Sequence, residues 1–205
     1  MKDALLNFNG PSDTRLFFFD TETTGLPRDW NAPLRDLDNW PRMVQLAWLL
    51  CDEAGNELAS ANRIIQPQGY TIPREAAKIH GITTERALAE GIALADALDE
   101  VLPQIEKAAV AIAHNISFDE KILAAECLRL GRPHPLLKKP TRCTMKESTH
   151  FCALPGRYGD YKYPNLTELH RKLFKTAFQD AHDALADVRA CKAAFYELRL
   201  RGVLA

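Results

Sequence analysis

At 205 residues the chain suits one domain with a sizeable core, and 46% hydrophobic with 26% charged residues is ordinary for a globular protein. A formal net charge of −1 excludes a polycation, so any nucleic-acid contact must come from a local patch. Five scattered cysteines without a Cys-x-x-Cys pair argue against a zinc site or a disulfide framework, and no apolar run is long enough to span a membrane. The cysteines are expected to be buried small apolar residues in a reducing compartment. The first seven residues are too polar for a signal peptide, so the expected location is cytoplasmic, with no membrane partner.

In chain order, residues 1–14 read as a polar leader and 15–205 as a single domain. Phe17, Phe18 and Phe19 mark a strand over 15–20 that is covered on both faces. Thr23, Thr24 and Gly25 break it. Residues 27–41 are irregular and rich in Pro and Trp, placed either over a ligand or anchored to the surface by Trp30 and Trp40. Apolar 43–51, a turn at 52–56 and residues 57–67 read as an antiparallel hairpin, which with the first strand makes a three-stranded meander. Helical spacing follows over 73–80, then a helix to Glu90 capped by Thr83 or Thr84, then an amphipathic helix over 94–107 with Leu94, Leu98, Val101, Leu102 and Ile105 inward. Residues 110–113 form a short buried strand, followed by a helix to Leu130 that Ser117 is placed to cap. Residues 141–144 are a fifth strand, 147–164 a loop, 165–174 a short helix, and Asp183 caps a final helix to about Arg201. Three strands, helices, strand, helix, strand, helices is the order of a mixed-sheet α/β domain.

Asp20 and Glu22 lie two residues apart, so in extended chain they project to one side and repel each other. A divalent cation held by carboxylate oxygens would relieve that repulsion, and a solvated strand end is the plainer alternative. Asp119 falls just past the fourth strand at the start of a helix, Asp187 in the first turns of the last helix, and His182 just before it. Singly, each has an ordinary reading as a helix-dipole partner, cap or surface residue.

Taken together, Phe-Asp-Thr-Glu-Thr-Thr-Gly-Leu (19–26), His-Asn-Ile-Ser-Phe-Asp (114–119) and His-Asp-Ala-Leu-Ala-Asp (182–187) resemble, in order and separation, the motifs of the DEDDh exonucleases. This DnaQ-like group includes the epsilon proofreading subunit of bacterial DNA polymerase III and RNase T. The resemblance spans nearly the whole chain, with Ile79-His80-Gly81-Ile82-Thr83 and Pro164-Asn165-Leu166-Thr167-Glu168-Leu169 matching segments between the motifs. His182, five residues before Asp187, selects the histidine branch over the tyrosine branch.

The resemblance implies a ribonuclease H-like fold, a mixed five-stranded sheet of three antiparallel and two parallel strands flanked by helices. It implies a 3′→5′ exonuclease that uses two Mg²⁺ ions, with Mn²⁺ as a substitute, and releases nucleoside 5′-monophosphates. By the same resemblance Asp20 bridges both ions, Glu22 and Asp187 help hold the ion carrying the attacking water, and Asp119 serves the other, partly through water. His182 is the implied general base, on a loop expected to be mobile in a free form. Backbone groups of Thr23 and Thr24 are expected at the 3′ end and Leu26 against the terminal base, with His80, Phe118 and Asn115 shaping the nucleotide pocket. A run of six basic residues without an acidic one, Arg129 to Lys146, is a candidate phosphate-tracking patch. The expected partner is a single-stranded 3′ end, DNA favoured over RNA, and an RNase T-type exoribonuclease is the substrate alternative. The sequence stops at Ala205, just after the last motif helix, which is expected to favour stand-alone action over a proofreading subunit, although a polymerase or repair partner could dock on a surface patch. A non-catalytic nucleic-acid-binding module is the rival from another class, and the intact set of four carboxylates and His182 argues against it.

Overall fold

A computed structural model describes residues 14–178 and 183–204. Residues 1–13 of the expected leader, and His182, lie outside the described residues. Five strands form one mixed sheet: β1 (Arg15–Thr23), β2 (Met43–Asp52), β3 (Glu57–Ile64), β4 (Val110–Ala113) and β5 (Thr141–Cys143), in the order β3-β2-β1-β4-β5. The β1–β2 and β2–β3 pairs are antiparallel, while β4 runs parallel to β1 and to β5. The expected mixed sheet is therefore present.

Alternation along β1 builds two faces. Phe17 and Phe19 pack with Leu46, Trp48 and Leu50 of β2 against α3 (Leu94–Lys107) and α4 (Ile116–Arg129). Leu16 and Phe18 pack with Ala47, Leu49 and Cys51 against α7 (Leu166–Phe174) and α8 (Ala184–Leu200). Each fully buried phenylalanine contributes about 1.5–3 kcal/mol relative to exposure. A smaller cluster forms where α1 (Arg74–His80) and α2 (Thr84–Glu90) press Ala76, Ile82 and Ala87 onto Val44. All five cysteines are free and buried. No helix among the described residues is long and apolar enough to cross a membrane.

Several boundaries differ from the sequence expectation. The strand over 15–20 continues to Thr23, because β2 keeps pairing with it as far as an irregularity at Glu22/Thr23. Asp20 and Glu22 are therefore held inside a strand. β3 ends at Ile64, where Ile65 turns to bridge Ile92. Ser117 does not cap α4. Asn115 occupies that position at φ 74°, a left-handed conformation that Asn tolerates, and the Ser117 hydroxyl donates to Asn115 Oδ1 at 3.3 Å. The fifth strand stops at Cys143, where the single turn α5 (Thr144–Glu147) begins, and the stretch 147–164 is not all loop, since a second single turn, α6 (Thr149–Cys152), precedes a tight turn closed by a Pro155–Tyr161 bridge.

Candidate active site

The strand period decides which way each carboxylate faces. Asp20 and Glu22 share the parity of Phe18 and point toward α8, whereas Thr21 shares the parity of Phe19 and points toward α4. The N-terminus of α8 brings Asp187 to the same place. Asp20, Glu22 and Asp187 offer oxygens that all lie within 4.8 Å of one another. On the other side, β4 pairs with β1 only as far as Phe18. Beyond that point the Thr21 N–H donates to Asp119 Oδ1 at 3.0 Å and the Thr21 hydroxyl to the same oxygen at 2.7 Å. Asp119 is 3% exposed and lies beside the trio rather than within it.

The electrostatics are those of crowded, poorly solvated anions. Burial, reinforced by Asp119, Asp187 and Glu22, holds the Asp20 carboxyl well above the usual range. Burial and the Asp187 and Asp119 charges push Glu22 up to about 8. Burial raises Asp119 to about 7 against the opposing Thr21 hydrogen bonds. Among the described residues, the charges acting on Asp20 and Glu22 are those of other carboxylates. Hard cations with oxygen ligands fit such a cluster, because each bound charge removes several repulsions at once.

A half-open cavity of about 370 Å³ adjoins the carboxylates, lined among others by Glu22, Thr23, Thr24, Leu26, His80 and Phe118. Leu26 is 71% exposed there, an apolar face with nothing over it. The Phe118 ring is backed by Trp30 at a centroid distance of 5.7 Å. His80 is buried and its Nδ1 accepts from the Ile82 N–H at 3.2 Å.

Other expected contacts change. The Thr24 N–H is committed to the Arg42 carbonyl at 2.9 Å, and the Thr24 hydroxyl accepts from the Arg42 N–H at 3.0 Å. Thr24 therefore brings no free N–H to the pocket. Asn115 is not among the residues lining this cavity. The basic run from Arg129 to Lys146 does not form one patch. Arg129 binds the Leu37 and Trp40 carbonyls and Glu126, Arg132 pairs with Asp99, Lys139 donates to the Glu106 and Ala108 carbonyls, and Arg142 pairs with Glu147. Helix and loop turn these four cations in different directions, each to a local acceptor, and Lys146 lines a separate cleft.

Three residues of the site were not singled out from the sequence. Thr21 orients Asp119. Gln45, 3% exposed, faces Glu22 across the β1–β2 pair. Its amide donates to Asn62 Oδ1 at 2.8 Å and to Asp183 Oδ2 at 3.3 Å, and its carbonyl accepts from the Ala184 N–H at 3.3 Å. Asp183 itself caps α8 through the Leu185 and Ala186 N–H groups. A single amide in an otherwise apolar strand was the available signal for Gln45. Ile79 of α1, 59% exposed beside the cavity, is the third, and its signal was an apolar residue outside the buried Ala76–His80 face.

The remaining motif histidine, His114, is a structural clamp. Its Nε2 lies 3.0 Å from the Pro164 carbonyl and its Nδ1 3.0 Å from the Thr144 hydroxyl, and burial lowers its pKa to about 4. The neutral ring that donates from Nε2 and accepts at Nδ1 satisfies both bonds.

A family model described as exonuclease, of the RNase T type, matches residues 17–195. The chain belongs to this exonuclease family. Among solved structures, this exonuclease domain is similar to Escherichia coli Exonuclease I in complex with a dT13 oligonucleotide, at 20% identity and a TM-score of 0.73 over 92% of this chain and 41% of that one. Exonuclease I from Methylocaldum szegediense gives 22% identity and a TM-score of 0.73 over the same shares. The zinc ion bound form of the E. coli enzyme with single-stranded DNA gives 21% and 0.71, again over 92% and 41%. These likenesses establish a ribonuclease H-like exonuclease fold, and the chain spans about two fifths of the length of those proteins. No protein of curated function matches this exonuclease chain in sequence.

Proposed function

We propose that the protein is a metal-dependent 3′→5′ exonuclease that takes nucleoside 5′-monophosphates from a single-stranded 3′ end, with DNA as its favoured substrate. The observation that carries this reading is the convergence of Asp20, Glu22 and Asp187 beside a cavity of nucleotide size. Neighbours of the same fold hold single-stranded oligonucleotides, which supports the choice of DNA.

Asp20, Glu22 and Asp187 would hold a divalent cation, and Asp119 would join them in serving a second. Two Mg²⁺ ions, when bound, activate water and neutralise charge on the attacking and leaving oxygens of the phosphodiester. The protein's own groups do the rest. Thr21 fixes the Asp119 carboxylate, and the Gln45–Asp183 contacts fix the start of α8 and with it Asp187. Leu26, Ile79 and Phe118 present apolar surface to the terminal nucleoside, so that its phosphate falls at the carboxylates. His182 takes the proton from the attacking water, a task an imidazole suits near neutral pH. Five free buried thiols fit a reducing, cytoplasmic setting.

The test is digestion of 5′-labelled single-stranded DNA, duplex DNA and RNA side by side in Mg²⁺ and in EDTA. The expected outcome is a ladder shortening from the 3′ end of single-stranded DNA, stopped by EDTA and reduced to background in Asp20→Asn, with circular dichroism unchanged. A faster reaction on RNA reassigns the substrate, and an EDTA-resistant rate removes the metal mechanism.

A further inference from the structure

Beyond α6 the chain makes a compact turn closed by a Pro155–Tyr161 bridge. The Gly156 N–H donates to the Asp160 carbonyl at 2.7 Å, the Lys162 N–H to the Leu154 carbonyl at 3.0 Å, and Gly159 takes φ +88°. A Cβ on Gly156 would lie 2.6 Å from the Asp160 carbonyl oxygen, so the turn closes only around glycine there. Three of the chain's five tyrosines fall within this turn and its exit, and all are exposed: Tyr158 at 89%, Tyr163 at 58% and Tyr161 at 46%. They line a cleft of about 680 Å³ together with Lys146, Arg157 and Asp160. Lys146 and Arg157 make no ion pair among the described residues, whereas Lys162 is held by Glu168 at 2.6 Å. The His150 ring meets Tyr161 nearly perpendicularly at 5.8 Å and steadies it.

The cleft is tied to the carboxylates by the sheet. β1, β4 and β5 are parallel neighbours, so their carboxyl ends share one side of the molecule. The segment that carries Lys146 leaves β5 two strand spacings from β1, about 10 Å. At the other end of the loop, Pro164 is clamped by His114, the residue that follows β4.

We infer that this tyrosine-lined cleft binds the single strand 5′ of the nucleotide being removed, with Tyr158, Tyr161 and Tyr163 stacking on bases and Lys146 and Arg157 meeting phosphates. The inference rests on the exonuclease reading above. A terminal nucleotide in the Leu26 cavity has chain on its 5′ side only, so any surface that continues the site must carry 5′-ward nucleotides. Exposed aromatic rings interleaved with unpaired cations are the chemistry that grips a single strand without reading its sequence. A protein partner would find no contiguous aliphatic surface there.

The experiment is fluorescence-anisotropy binding of oligothymidylates of 4, 8, 12 and 16 nucleotides in EDTA, which keeps the strands intact and makes the readout independent of hydrolysis. The wild-type chain is expected to bind more tightly as length increases beyond the reach of the Leu26 cavity. Tyr158→Ala with Tyr163→Ala is expected to reduce the 16-mer to 4-mer affinity ratio by about tenfold or more, and the two Phe replacements to restore it. Lys146→Gln with Arg157→Gln is expected to flatten the slope of log affinity against log salt by about 1.4, two phosphates at about 0.7 each. Wild-type length dependence that survives both sets of substitutions overturns this inference alone. Absence of binding to every oligonucleotide by the wild-type chain overturns it together with the exonuclease reading.

Discussion

Thr21 shows how much of the site depends on one side chain that carries no charge. It gives Asp119 two hydrogen bonds to a single oxygen, and these are the largest of the contacts that oppose the effect of burial on that carboxyl. Thr21→Val keeps the shape and removes the hydroxyl donor. The expected result is a 10- to 100-fold loss in activity or metal affinity, the range found when a group that orients a metal ligand is removed. Steady-state kinetics against Mg²⁺ concentration would measure it, and an unaltered Mg²⁺ dependence would contradict the orienting role. Asp119 itself should be the harder residue to replace, since it is buried and stands within the field of Asp20 and Asp187.

At the scale of elements, two buried polar groups attach whole segments to the sheet. Gln45 ties β2 to the first turn of α8, the helix that delivers Asp187. Gln45→Ala leaves the Ala184 N–H and the Asp183 carboxylate without this partner, and a cost of about 1–3 kcal/mol is expected. Because Asp187 rides on the same helix, kcat should fall as well, while a substitution at a distant core position of equal cost should leave kcat alone. Glu126, 1% exposed on α4, accepts from Arg42 Nε at 2.9 Å and the Met43 N–H at 2.9 Å, and pairs with Arg129 at 3.2 Å. Arg129 in turn holds the Leu37 and Trp40 carbonyls of the Pro/Trp loop, and Lys121 Nζ holds the Trp30 carbonyl at 2.7 Å. Trp40 anchors the loop in the core, and Trp30 packs against Phe118, which lines the cavity. Glu126→Ala strands the two guanidinium groups and is expected to cost about 3–5 kcal/mol in chemical denaturation. A loss below about 1 kcal/mol would show that the triad is not what secures the loop.

For the whole molecule, the carboxylate cluster links stability to pH and to metal. Glu22, raised to about 8, and Asp119, raised to about 7, hold protons in the metal-free folded chain at a pH where the unfolded chain has released them. Their stabilising contribution is complete below the unfolded carboxylate pKa of about 4 and is lost as pH rises through 7–8. His114 and His134, both lowered to about 4 by burial, act in the opposite sense between about pH 4 and 6.5. The window in which the carboxylates act alone is therefore about pH 6.5 to 8. Urea midpoints in EDTA should fall across that window, and saturating Mg²⁺ should reverse the fall, by about 2.7 kcal/mol at a hundred times its Kd. A metal-free midpoint that rises from pH 6.5 to 8 would contradict the crowding of these groups.

The strand of three phenylalanines, the parity that places Asp20 and Glu22 on one side, and the helices over 94–107 and 184–200 were legible in the amino-acid order alone. Those features are local: a period of 2 or 3.6, a cap, a glycine. The three motifs also carried the family, because their order and spacing survive in one dimension. Which side chains have partners was settled by the folded chain. Four of six basic residues close in sequence were dispersed onto Asp99, Glu126, Glu147 and backbone carbonyls, and the Thr24 N–H was taken by Arg42 across 18 residues. Thr21 met Asp119 across 98 residues, and Gln45 met Asp183 across 138. Hydrogen bonds are short-ranged, so whether a polar group is free for substrate or already satisfied depends on neighbours that only the folded chain brings within about 3 Å.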